Sequence, residues 1–147
     1  MSEWQKRFSK KVESVREASS GRFEEVVRKA LTPVFEEFQK FTAQQGFVST
    51  APLANPGVRT FRLALTENAY ALLTFRLSGL EDCECIAEFV VPSRGKLPPL
   101  NQRIELVEAN DNWARRVFER MLDHFVDAFF DGLGQKAKDA AQTAAAA

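Results

Sequence analysis

Histidine occurs once in this chain, at His124, and cysteine twice, at Cys83 and Cys85. A lone histidine cannot form a His-rich metal site, and no serine or cysteine stands at a spacing from it that indicates a nucleophile–base dyad. His124 is expected as a partly buried, hydrogen-bonded residue between Asp123 and Phe125. Cys83-Glu84-Cys85 is Cys-x-Cys, without the second pair of a zinc ribbon or the helix N-terminus of a thioredoxin-like motif. In an extended strand the two thiols share one face, where a bond between them would close a strained ring. They read as small core residues, and the want of a disulfide framework fits a reducing cytoplasm.

Net charge is also missing: 20 Lys and Arg balance 20 Asp and Glu. No overall field draws the molecule to DNA, RNA or an acidic membrane. No window approaches the ~18 to 20 apolar residues of a bilayer span, and Met1-Ser2-Glu3-Trp4 does not open a signal peptide. No Gly-rich phosphate loop occurs. Glu81, Asp82, Glu84 and Glu88 are close enough in sequence to supply paired carboxylates, but nothing pairs them with an acid–base partner. The sequence therefore assigns no catalytic residue, no cofactor and no metal.

Phenylalanine is abundant, at 13 against one Tyr and two Trp in 147 residues. Rings without polar handles suit a dry core or an apolar groove. Their spacing has a period near 3.6 up to Phe47, near 2 to about Asp111, and near 3.6 again afterwards, which predicts a helix, a β-meander and a helix. Ser2 with Gln5 forms a capping box, and Trp4, Phe8, Val12, Val15, Phe23, Val26, Ala30, Val34, Phe38 and Phe41 then advance by three or four residues. Unbroken to Gln45, this helix would measure roughly 60 Å. Ser19-Ser20-Gly21 and Thr32-Pro33 predict kinks or breaks near 20 and 32. The stripe is narrow before the first of these and wider from Phe23 to Phe41, so residues 1–20 are expected as a projecting arm.

Gly46 reads as a helix C′ residue, and Pro52, Pro56 and Gly57 as a loop. Alternation then predicts strands over Thr60 to Thr66, Tyr70 to Leu77 and Cys83 to Val91, with one face dry and the other largely wet. Pro92 to Pro99 reads as a loop and Arg103 to Val107 as a fourth, edge strand. Asn110 or Asp111 caps a helix from Asn112 to Gly132. The fold class expected is α+β: a long kinked N-terminal helix, a three- to four-stranded antiparallel meander, and a C-terminal helix packed on one sheet face. Residues 1–133 form one domain in this reading, and 134–147 an Ala-rich flexible tail. The order of elements is similar to that of small bacterial dimeric proteins, including nucleoid-associated and secretion-chaperone types, a likeness carried by no shared motif.

Glu119, Asp123, Asp127 and Asp131 recur every four residues on the last helix, stacking like charges along one edge, and the last two also sit at the negative end of the helix dipole. The stripe is either a solvated face or a site for a basic surface, such as Lys6, Lys10 and Lys11 of the first helix or a partner protein. The rest of that helix is apolar over more than half its circumference, with Val126 and Phe130 on the fringe, which requires two packing partners: the sheet and either the first helix or a second subunit. Trp4, Phe8 and Phe130 join the four acids as candidate partner-binding residues. The function expected is a non-enzymatic interaction or dimerisation module, adaptor or chaperone-like, acting as a homodimer or with a protein partner. Alternatives are a site for a small apolar ligand and a nucleic-acid contact through the basic first helix, whose interleaved Glu3, Glu13, Glu17, Glu24 and Glu25 argue against the latter.

Overall fold

Alternation between buried and half-buried residues along three successive strands creates one dry sheet face, and both long helices lie on it. The structure, a computed structural model, describes residues 2–92 and 94–146, with the backbone alone at 52, 53 and 132–146. Strands β1 (Val48–Asn55), β2 (Val58–Thr66), β3 (Ala69–Ser78) and β4 (Asp82–Val91) pair in sequence order, and β5 (Gly95–Lys96) and β6 (Leu100–Glu105) both pair antiparallel with β4. Register places Leu73 between Phe61 and Ala87, and Phe75 opposite Cys85. These residues, with Leu63, Ala71, Cys83, Phe89 and Val91, make the buried face. The architecture is α+β.

The helices are α1 (Glu3–Val26), α2 (Thr32–Ala43) and α3 (Asp111–Ala146), with a π-helical turn at Val27–Leu31 between the first two. Ser2 and Gln5 form the reciprocal capping box, and Asn110 caps α3 by accepting from the Trp113 N–H at 2.9 Å. At the other end of the rod the Phe47 N–H reaches the Thr42 carbonyl while Gly46 adopts φ 87°, the left-handed ending that glycine permits. Phe23, Leu31, Val34 and Phe35 of the rod and Val117, Phe118, Met121 and Phe125 of α3 are buried against the sheet, each contributing about 1.5–3 kcal/mol by leaving water. The second body met by the broad apolar face of α3 is thus the chain's own first helical rod.

Several expectations give way. No break occurs at Ser19-Ser20-Gly21; α1 runs straight through, and Ser19 is buried. Near 32 the expected irregularity is present, as a π-helical turn between α1 and α2 rather than a break in the rod. The Thr32 N–H bonds the Val27 carbonyl five residues back, and Pro33 enters at the start of α2. The segment read as a loop around Pro52 is strand β1. Its pairing with β2 shifts register between Thr50 and Leu53, so the proline, which has no N–H to donate, sits at an edge-strand irregularity. The sheet accordingly has six strands rather than three or four, β5 arising inside the expected Pro92–Pro99 loop. Helix α3 continues past Gly132 to Ala146, and the flexibility expected of residues 134–147 falls on side chains outside those described, as does Ala147 entirely.

The wet face of the sheet is held by charge. Glu84 accepts from Arg76 at 2.7 Å and Arg103 at 3.1 Å, bridging β3, β4 and β6, and Arg62 lies 4.5 Å over the Tyr70 ring. The Arg103 and Arg76 guanidinium groups hold the Glu84 carboxyl below its ordinary value of about 4.5. Because the folded value is lower than the unfolded one, this contribution is present above about pH 4.5 and lost as pH falls through the folded value. The stability gap between the wild type and Glu84→Gln, measured by denaturant titration, is therefore expected to be constant at neutral pH and to shrink on acidification below pH 4.5. Gly21 meets nothing within 4 Å at the position of a Cβ and lies inside α1. Gly21→Ala is expected to stabilise the rod by about 0.5–1 kcal/mol in the same assay.

Candidate functional site

Where α2 and α3 cross the sheet they are clamped together. Arg115 of α3 donates to both Glu37 oxygens, at 3.0 and 3.2 Å, and holds that carboxyl below its usual range; the Phe38 and Phe118 rings stack at 5.5 Å. Beyond the clamp a groove of about 570 Å³ lies between the two helices. Phe38, Phe41 and Thr42 line one side, Leu122, Val126 and Phe129 the other, and Phe47, Leu65 and Phe125 the floor. Phe125 contacts Phe47 edge-on at 6.2 Å and Phe129 at 6.3 Å, so the floor is preformed by packed rings. Gln45, Glu119 and Asp123 supply the polar margin.

The helical phase of α2 explains why this space is open. Val34, Phe35 and the partly buried Phe38 lead by steps of three or four residues to Thr42, which takes the inward position. Its hydroxyl donates to the Phe38 carbonyl at 2.6 Å, which satisfies a buried polar group inside the helix. Phe41, expected on the core-facing stripe, is instead 61% exposed on the groove wall, and Val126 opposite is 49% exposed. Phe41 and Phe47 are the groove residues that periodicity conceals, since one belongs to a stripe that reads as core and the other follows the helix end. A cluster of phenylalanines around Gly46, more than a short edge hairpin needs, is the signal that points to them.

The predicted candidates separate into four places. Glu119 and Asp123 line the groove and also border a shallow depression of about 600 Å³ on their other side, shared with Arg116, Arg120, His124 and Asp127. Asp127 and Asp131 turn away towards Arg94, Leu97, Pro98 and Leu100. Phe130 is 72% exposed on α3 but lies outside the groove lining, while Trp4 and Phe8, stacked at 5.1 Å, sit far off on α1. The acids of the stripe make no ion pair among the described residues, where Arg115 is engaged by Glu37 and Asp111. No three His, Cys, Asp or Glu groups converge there either.

His124 departs from expectation. It is exposed, and its ring lies 4.8 Å from that of Phe89, covering a buried aromatic at the edge of the sheet rather than receiving a hydrogen bond. Cys83 and Cys85 are fully buried on the dry face, where desolvation pushes both thiols up to about 12. A thiol held neutral in this way is a poor nucleophile and a poor metal ligand. Among the acids of β4, Glu84 is committed to its two arginines. What the α2–α3 groove presents is therefore apolar shape edged by carboxylate.

Among the described residues, no helix is long and apolar enough to cross a membrane. Comparison with protein-family models, curated proteins and solved structures finds no match. Both cysteines are expected to resist a thiol-specific reagent at pH 8 in the folded protein and to react together once denaturant unfolds it. Rapid labelling of the native protein would place a thiol outside the core.

Proposed function

We propose that this chain is a non-catalytic protein-interaction module whose α2–α3 groove receives an amphipathic helix with basic flanks. The observation that carries the reading is the groove itself, a concave surface floored by packed rings, walled by half-exposed Phe41 and Val126, and edged on the α3 side by Glu119 and Asp123. Laying the apolar face of a helix into such a trough is a recurring mode of recognition, with anchors spaced i, i+3, i+4 and i+7. The rim carboxylates add orientation and a preference for cationic flanks, because charge complementarity steers encounter and rejects the wrong sign. The same surface would accept a small apolar molecule, but such a ligand makes no use of two acids one helical turn apart.

Titration of the full chain with two designed amphipathic peptides that share an apolar face, one with lysine and one with glutamate flanks, tests this directly. The basic peptide is expected to bind and the acidic one to bind at least tenfold more weakly. Val126→Asp is expected to abolish binding with little change in thermal midpoint, since the residue is half exposed. Asp123→Lys is expected to narrow or reverse the preference. Binding of an apolar dye unaffected by Asp123→Lys, with neither peptide bound, would favour the small-molecule reading.

A further inference from the structure

The α1 arm is a second unpartnered apolar surface among the described residues. From Glu3 to Ala18 every residue except half-buried Val12 is exposed, yet Trp4, Phe8, Val12 and Val15 form a stripe in line with Ser19 and Phe23, which are buried. At ~100° per residue the neighbours of this stripe are Arg7 and Lys11 on one side and Arg16 on the other, whereas Glu3, Glu13 and Glu17 lie on the opposite face. The arm is thus an amphipathic helix with basic flanks, the ligand chemistry assigned to the groove. It cannot reach the groove of its own chain. Trp4 and Phe41 are separated by about ten turns of one continuous helical run, roughly 55 Å.

We infer that the arm of a second copy of this chain occupies the groove, and that the exchange is reciprocal. The inference rests on the groove being a binding site for a basic amphipathic helix. Arg7 and Lys11 are one turn apart on the arm, as Glu119 and Asp123 are on α3, so two like-spaced rows of opposite charge face each other along the groove rim. Two equivalent engagements, each arm in the other copy's groove, relate the copies by a two-fold axis and close the assembly at a dimer. One contact then removes the arm stripe and the groove from water together. It also supports a helix whose length outside the core is marginal for an isolated segment.

Sedimentation equilibrium of the full chain tests the exchange. The wild type is expected to be a dimer at tens of micromolar, and both the arm variant Trp4→Glu/Phe8→Glu and the groove variant Phe41→Asp/Val126→Asp are expected to be folded monomers, all four positions being about half or more exposed. An equimolar mixture of the two variants retains one intact arm and one intact groove, and is expected to form a heterodimer weaker than the wild-type dimer. Reversing one row, by Arg7→Glu/Lys11→Glu or by Glu119→Lys/Asp123→Lys, is expected to weaken dimerisation about tenfold, and combining both reversals to restore it. A wild type that stays monomeric at 200 micromolar overturns the exchange, as does a groove variant that dimerises like the wild type, which would indicate arm-to-arm pairing. In either case the peptide titration still decides separately whether the groove binds a basic helix.

Discussion

Phe118 is the side chain on which the rest of this structure depends. It is fully buried, and the rings of Phe35, Phe38, Phe61 and Phe75 lie between 5.5 and 6.2 Å from its own, so one residue ties α3 to α2, β2 and β3. Once Phe118 points into the sheet, helical geometry fixes the phase of everything else on α3. Ala114, Met121 and Phe125 must face inward, Leu122, Val126 and Phe129 are rotated towards α2, and Glu119 and Asp123 come to the margin. The same logic from Phe35 sends Thr42 inward and Phe41 outward. The groove is therefore a consequence of how two helices are phased by one aromatic cluster.

Length is the second constraint. The sheet covers the rod only from Ser19 onward, while the capping box starts the helix at Glu3. Roughly four turns are left without a packing partner, in a segment containing Ser9, Ser14 and β-branched Val12 and Val15, residues of modest helix propensity. Within this chain the rod is anchored to the body by buried Phe23 and by the Glu24–Arg59 ion pair at 2.6 Å, both past the arm. The apolar stripe is held away from the core, and its basic edges complement the acidic, apolar trough between α2 and α3.

Much of the fold was legible before any coordinates, and the reason is period. Alternation at Phe61, Leu63 and Leu65, at Ala71, Leu73 and Phe75, and at Cys83, Cys85 and Ala87 marks strands with one buried face, and that face exists. The misses have local causes. Pro52 reads as loop because proline seldom sits in a strand, yet an edge strand with a register shift tolerates it, whereas Pro56 does lie in the turn after β1. The irregularity that Thr32-Pro33 signals is present, but its form, a π-helical turn, leaves no signature in a single sequence. His124 reads as a hydrogen-bonded residue, whereas its ring lies over Phe89. At the candidate site, the acids and the arm residues stood out as groups without partners, but the groove did not, since it depends on the polar Thr42 displacing Phe41 from the core.

The proposed exchange makes arm and groove two halves of one buried surface. Hydrogen–deuterium exchange measured across a hundredfold range of protein concentration tests it most directly. Amides of α1 from Glu3 to Ala18 are expected to gain protection as concentration rises, in step with those lining the groove on α2, while the β2–β4 core stays unchanged throughout. Arm amides that exchange at the rate of an open peptide at every concentration would contradict it.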